Sequence, residues 1–101
     1  MKWYMDRIDD YPENIGFLMG YANILNNKGI FEESIDYYNR VLDLKPKWVR
    51  PLECMAYIYE YKRVEKKKSC ELANKILTLE PGNRVALFVL ARNGSTADEK
   101  I

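Results

Sequence analysis

Chemistry at neutral pH needs a proton carrier, an activated nucleophile or a set of metal ligands, and this chain offers little of each. It contains no histidine, so the commonest general base near pH 7 is missing. The adjacent carboxylates Asp9–Asp10 and Glu32–Glu33 point in different directions on a helix, as solvated residues do, and do not converge as an acid–base pair. Cys54 and Cys70 match no metal-ligand spacing. They read as reduced, partly buried packing residues of a cytosolic protein. No Gly-rich phosphate loop and no paired nucleophile and base are present. The expectation is therefore no enzyme activity, no cofactor and no metal.

Two further signals concern recognition. Lys62-Arg63-Val64-Glu65-Lys66-Lys67-Lys68 is a charge run that could contact phosphate or serve as an import signal. No aromatic residue interleaves with it and it falls where a turn is expected, so solvated lysines are the favoured reading and nucleic acid is the weaker one. Asn93-Gly94-Ser95 has the form of a glycosylation sequon but reads as a turn.

Composition narrows the class. Hydrophobic residues make up 48% and charged residues 31% of the 101 residues, a globular balance too apolar for disorder. A net charge of +1 gives no overall attraction to nucleic acid or an anionic membrane. Asp6, Arg7, Asp9 and Asp10 interrupt the start before a signal-peptide core can form. No apolar run approaches the ~20 residues of a membrane span. A cytoplasmic location is expected.

The elements that must position any site follow from three prolines. Ile8-Asp-Asp-Tyr-Pro12, Leu42-Asp-Leu-Lys-Pro46 and Leu77-Thr-Leu-Glu-Pro81 close three similar phrases, the prolines 34 and 35 residues apart. Between them apolar residues recur at helical spacing. Phe17, Leu18, Tyr21, Ala22, Ile24 and Leu25 form one stripe, and Phe31, Ile35, Tyr38, Val41 and Leu42 the next, with Gly29 at the break. The spacing predicts a helical hairpin over about 13–28 and 30–45. A second hairpin follows, with Leu52, Met55, Ala56, Ile58 and Tyr59 on its first helix and Leu72, Ala73, Ile76, Leu77 and Leu79 on its second. Trp3 to Tyr11 reads as a leading half-unit and Val85 to Ala91 as a trailing one. The expected domain is 1–93, with 94–101 a flexible tail.

These residues resemble the tetratricopeptide repeat. The first copy supplies Leu18, Tyr21-Ala22, Leu25, Ser34, Tyr38 and Pro46. The second supplies Leu52, Met55-Ala56, Tyr59, Ser69, Ala73 and Pro81, and the third begins with Leu87 and Leu90-Ala91. The resemblance implies an all-α, right-handed superhelix of antiparallel hairpins, about six helices in all. Its small residues Ala22, Ala56 and Ala91, with Ser34 and Ser69 facing the first two, are expected where helices cross closely. Ala73 departs from the pattern, which usually has an aromatic there.

The resemblance also implies a protein–protein interaction module that accepts a peptide or partner helix in a concave groove. Its groove positions fall on Met19, Asn23, Asn27, Arg50, Glu53, Tyr57, Glu60, Tyr61, Phe88 and Arg92. Asn amides suit an extended backbone, and Tyr and Phe give apolar contact with few rotors. An ordinary wetted surface is the competing reading. The chaperone-tail receptors of the family hold a carboxylate with Lys, Asn and Arg; here only Asn23 remains, beside Met19, Cys54, Val85 and Val89, which argues against that subtype. Alternatives are an RNA-associated helical repeat using the basic 62–68 turn, or a purely structural segment of a larger array. Both ends are apolar (Trp3, Tyr4, Met5 and Ile8; Leu87, Phe88, Val89 and Leu90). That predicts either a piece of a longer array or a small protein whose ends pair with another copy of itself or with a partner.

Overall fold

The computed structural model describes residues 2–62 and 66–93. These form six helices, α1 (Lys2–Asp10), α2 (Ile15–Asn27), α3 (Phe31–Leu44), α4 (Val49–Lys62), α5 (Lys66–Leu79) and α6 (Arg84–Arg92), with no strand among the described residues. The chain is all-α, as its periodicity predicts. The expected tail 94–101 lies outside the described residues, as do residues 63–65 of the basic run.

Each of the three prolines occupies the same place. The backbone N–H of Asn14 donates to the Tyr11 carbonyl at 3.1 Å, that of Trp48 to Lys45 at 3.2 Å and that of Asn83 to Glu80 at 3.0 Å. Pro12, Pro46 and Pro81 are thus the second residue of three equivalent β-turns, where a fixed φ is already correct and no N–H is needed. Asn14 and Asn83, the last residues of two of these turns, cap the helix that follows. Their side chains accept from the N–H groups of Phe17 and Ala86, each at 3.0 Å, satisfying donors that a helix start leaves open.

The α2–α3 turn is closed by glycine. Gly29 has φ +80°, a left-handed conformation that residues with a Cβ adopt at a steric cost. Its N–H donates to Asn26 at 3.0 Å and that of Ile30 to Leu25 at 2.9 Å, the paired bonds of a Schellman cap.

The chain divides into two compact units, with the boundary between Pro51 and Leu52. In the first, α1 packs on α2 and α2 on α3. Leu18, Ala22, Leu25, Tyr38 and Val41 are fully buried there, each large side chain contributing about 1.5–3 kcal/mol. Ala22 and Ser34 are both fully buried, as expected for a close crossing. The Ser34 hydroxyl donates to the Ala22 carbonyl at 2.8 Å. The Tyr38 hydroxyl donates to Asn23 Oδ1 at 2.6 Å. Rings line both junctions: Trp3 lies edge-on to Tyr4 beside it and to Phe17 on α2, and Tyr21 on α2 lies edge-on to Tyr37 on α3. Burial pushes the Tyr21 phenol up, with the Glu33 charge and Tyr37 adding to it.

In the second unit α5 packs on α6. Leu52, Ala56, Ala73, Ile76, Ala86 and Val89 are fully buried, and so is Ser69, the counterpart of Ser34. Ala73 stands in the core at the place Tyr38 takes in the first hairpin. Ala91 differs from the expectation: it is exposed, because among the described residues no helix follows α6 to cross it. Tyr4, one of the apolar residues of the leading helix, packs on α2. Its ring lies on Gly20, so that a Cβ at that glycine would stand 2.6 Å from ring atoms.

Candidate functional site

Helical periodicity places Glu53, Tyr57, Glu60 and Tyr61 on one side of α4, three or four residues apart in succession. In the structure these four divide into two kinds. The carboxylates are braces. Asn83, at the start of α6, donates through Nδ2 to Glu53 Oε2 at 2.7 Å and to Glu80 Oε1 at 3.0 Å. At the other end of α6, Arg92 Nε donates to Glu60 Oε2 at 2.8 Å and Asn93 Nδ2 to Glu60 Oε1 at 2.8 Å. Ser69, on α5, adds a 3.3 Å hydrogen bond to the same Glu60 oxygen. Two turns of α4 thus span the length of α6, with one carboxylate at each end.

The aromatic residues lie between the braces. Tyr57 falls midway between Glu53 and Glu60, and Phe88 midway along α6. Their ring centroids are 6.2 Å apart at 58°, within the range of favourable tilted pairs. Both rings are 46% exposed, so the pair is formed yet open to solvent. The Arg92 guanidinium carbon stands 5.7 Å from the Phe88 centroid, a cation–π distance. Tyr61 is 79% exposed, one turn beyond Tyr57. The result is an open face of two aromatic rings and one guanidinium, held on a braced pair of helices.

Electrostatics explains why Glu60 can be buried. It is only 6% exposed, and an unpaired carboxylate there would be costly. Burial alone would raise its pKa. The hydrogen bonds from Arg92, Asn93 and Ser69, with the Arg92 charge, outweigh that and hold the carboxyl below its ordinary range. Asn93 spends its amide N–H groups on Glu60 and on the Val89 carbonyl at 2.7 Å. Its own oxygen has no hydrogen-bond partner among the described residues.

The ten groove positions implied by the repeat resemblance are not equivalent in the structure. Tyr57, Phe88 and Arg92 come together on the second unit's face, with Tyr61 beside them. Glu53 and Glu60 are there too, but tied inward to α6, so an open position for Glu60 is corrected by its burial. In the first unit, Met19 is likewise buried, at 8% exposure, and is not an open contact. Asn23 is exposed, with its oxygen engaged by Tyr38. Asn27 and Arg50 are exposed. Asn83 and Asn93 were missed by the sequence reading. Asn83 had a signal, since it aligns with the capping Asn14 two repeats earlier; Asn93 had none beyond its place at a helix end.

Of the basic run, Lys67 and Lys68 are exposed on α5, and Lys68 Nζ stands 5.5 Å from the Tyr59 ring. Among the described residues no cluster of acidic and cysteine side chains could hold a metal ion, and no helix is long and apolar enough to cross a membrane.

No family model matches this chain. Over 94 residues it is 29% identical to the Protein CTR9 homolog of Arabidopsis thaliana, a match that covers 93% of this chain and 9% of that protein. Over 61 residues it is 33% identical to Tetratricopeptide repeat protein 8 of Caenorhabditis elegans, covering 60% of this chain and 12% of that one. The chain thus spans a small part of the length of the relatives it matches. It is similar to tetratricopeptide repeat proteins, in keeping with the resemblance carried by its proline period and its Ala22–Ser34 and Ala56–Ser69 positions.

Proposed function

We propose that this chain is a protein–protein interaction module that takes a peptide or partner helix on the exposed face of its hairpin-leading helices. The observation that carries this reading is the Tyr57–Phe88 pair. Two large rings, each 46% exposed, sit side by side on helices tied together at both ends. Covering the part of each ring still open to solvent is worth about 1 kcal/mol, roughly half of a full burial. Their few rotors and fixed backbone mean that little entropy is lost on docking. The likeness to a tetratricopeptide repeat protein supports the same reading.

Alanine substitution of both Tyr57 and Tyr61 tests it. Partner affinity, measured with a peptide selected on the intact chain from a random dodecamer display library, should fall by ~10-fold or more, about one well-packed contact. Helicity should remain, because neither tyrosine is in the buried set. Unchanged affinity would remove the α4 face from the interaction, and collapse of the helices would place these tyrosines in the core.

A further inference from the structure

Glu60 is a groove contact by position, yet its geometry is that of a support. Its carboxylate is buried and both oxygens are occupied, Oε2 by Arg92 Nε and Oε1 by Asn93 and Ser69. Three of its roughly four lone-pair positions are taken and the group is buried, so a partner docking on the α4–α6 face meets Arg92 and not this carboxylate. Arg92 is the opposite case. Its side chain is 44% exposed, its Nε is spent on Glu60, and its guanidinium lies beside the Phe88 ring. Among the described residues its two terminal nitrogens carry no hydrogen bond. A guanidinium has five N–H donors in a fixed plane. Fixing Nε therefore fixes the direction in which the other four point.

We infer that Glu60 is a positioning residue for recognition: it aims the Nη1–Nη2 edge of Arg92 at an oxygen acceptor of a partner segment whose apolar side chain covers Tyr57 and Phe88. This rests on the recognition reading above and adds to it the residue that sets the polar contact. A free arginine at this place would spread over many rotamers and lose that freedom on binding. Tethered to Glu60, it has already lost it. Because the Glu60 charge offsets that of Arg92, the site does not demand a strongly acidic partner. Backbone carbonyls and carboxylates share the required chemistry, and the end-on edge is the one geometry offered to either.

A double-mutant cycle tests the assignment, using the dodecamer that binds the intact chain most tightly from a random display library. Glu60→Gln keeps the shape and one acceptor oxygen but removes the charge. Alone it should weaken binding ~10-fold, and Arg92→Ala should do the same, the scale of one charge-assisted hydrogen bond. In the Arg92→Ala background, Glu60→Gln should cause no further loss. A readout without a partner accompanies it: the Arg92 Nε–H resonance should be protected from water exchange at pH 7 and lose that protection in Glu60→Gln. Equal, additive losses from the two substitutions would overturn the assignment, because Glu60 would then act on the scaffold and not through Arg92. If Glu60→Gln binds like the parent while Tyr57→Ala does not, recognition stands and the positioning role falls. If no dodecamer binds the intact chain, both fall together.

Discussion

The Ser34 hydroxyl donates a 2.8 Å hydrogen bond to the carbonyl oxygen of Ala22, both residues fully buried where α2 crosses α3. Two small side chains allow the crossing, and one of them adds a polar tie between the backbones. Ser34→Ala keeps the volume small and leaves the helical hydrogen bonding of α2 intact, so it should cost about 0.5–1.5 kcal/mol. Ala22→Leu forces extra methylenes into a closed interface and should cost more, at the upper end of about 1–3 kcal/mol or beyond. Urea denaturation of the two variants gives the order; an equal cost for both would contradict a close crossing.

Gly20 and Tyr4 make a second close approach. A Cβ at Gly20 would meet the Tyr4 ring at 2.6 Å, so Gly20→Ala must displace that ring. Alanine is otherwise better than glycine in a helix interior by roughly 0.5–1 kcal/mol. Gly20→Ala should therefore be neutral or destabilising in the parent and stabilising once Tyr4→Ala has removed the ring. Thermal melts of the four proteins complete the cycle. Stabilisation by Gly20→Ala in both backgrounds would show that the ring moves aside without cost.

Tyr38 separates a cavity from a hydrogen bond. Its ring is fully buried and its hydroxyl donates to Asn23 Oδ1 at 2.6 Å. Tyr38→Ala should cost about 3–5 kcal/mol, whereas Tyr38→Phe keeps the ring and should cost about 0.5–1.5 kcal/mol. Asn23→Ala in the Tyr38→Phe background should add little. A full, separate loss from Asn23→Ala would assign Asn23 a different partner in the fold.

The Glu60 cluster predicts a particular response to acid. A carboxyl held below its ordinary range adds stability that is fully present above the unfolded value, about 4.3 for glutamate, and is lost as pH falls through the folded value. The groups facing it are Arg92, Asn93 and Ser69, and only Glu60 among them titrates in acid. Glu60→Gln should lower the urea midpoint at pH 7, by about 1–3 kcal/mol in stability. The gap between variant and parent should hold down to about pH 4.5 and close below about 4.3. A gap unchanged through acid would mean that Glu60 is not charged in the folded protein.

Much of the fold was legible because it rests on local rules. Pro12, Pro46 and Pro81 fix three turns, Gly29 fixes a helix end, and the buried pairs Ala22–Ser34 and Ala56–Ser69 follow from the repeat register. Residues within a few positions of one another set those features, so periodicity reveals them. The site was less legible. Glu53 and Glu60 share the α4 face with Tyr57, and periodicity cannot tell a carboxylate that faces solvent from one that faces Asn83 or Arg92 some thirty residues later. Met19 illustrates the same limit in the first unit, since its helical position does not say what covers it. Ala91 was expected at a crossing because the pattern repeats, but among the described residues no helix follows α6 to cross it.

The central claim is that recognition uses the braced α4–α6 face, and an amide and side-chain NMR footprint of the display-selected dodecamer on the labelled chain tests it most directly. The account predicts the largest shifts at Tyr57, Phe88 and Arg92, with the solvent-facing positions of α5, such as Lys75, unmoved. A footprint centred on α5, with Tyr57 and Phe88 silent, would contradict it.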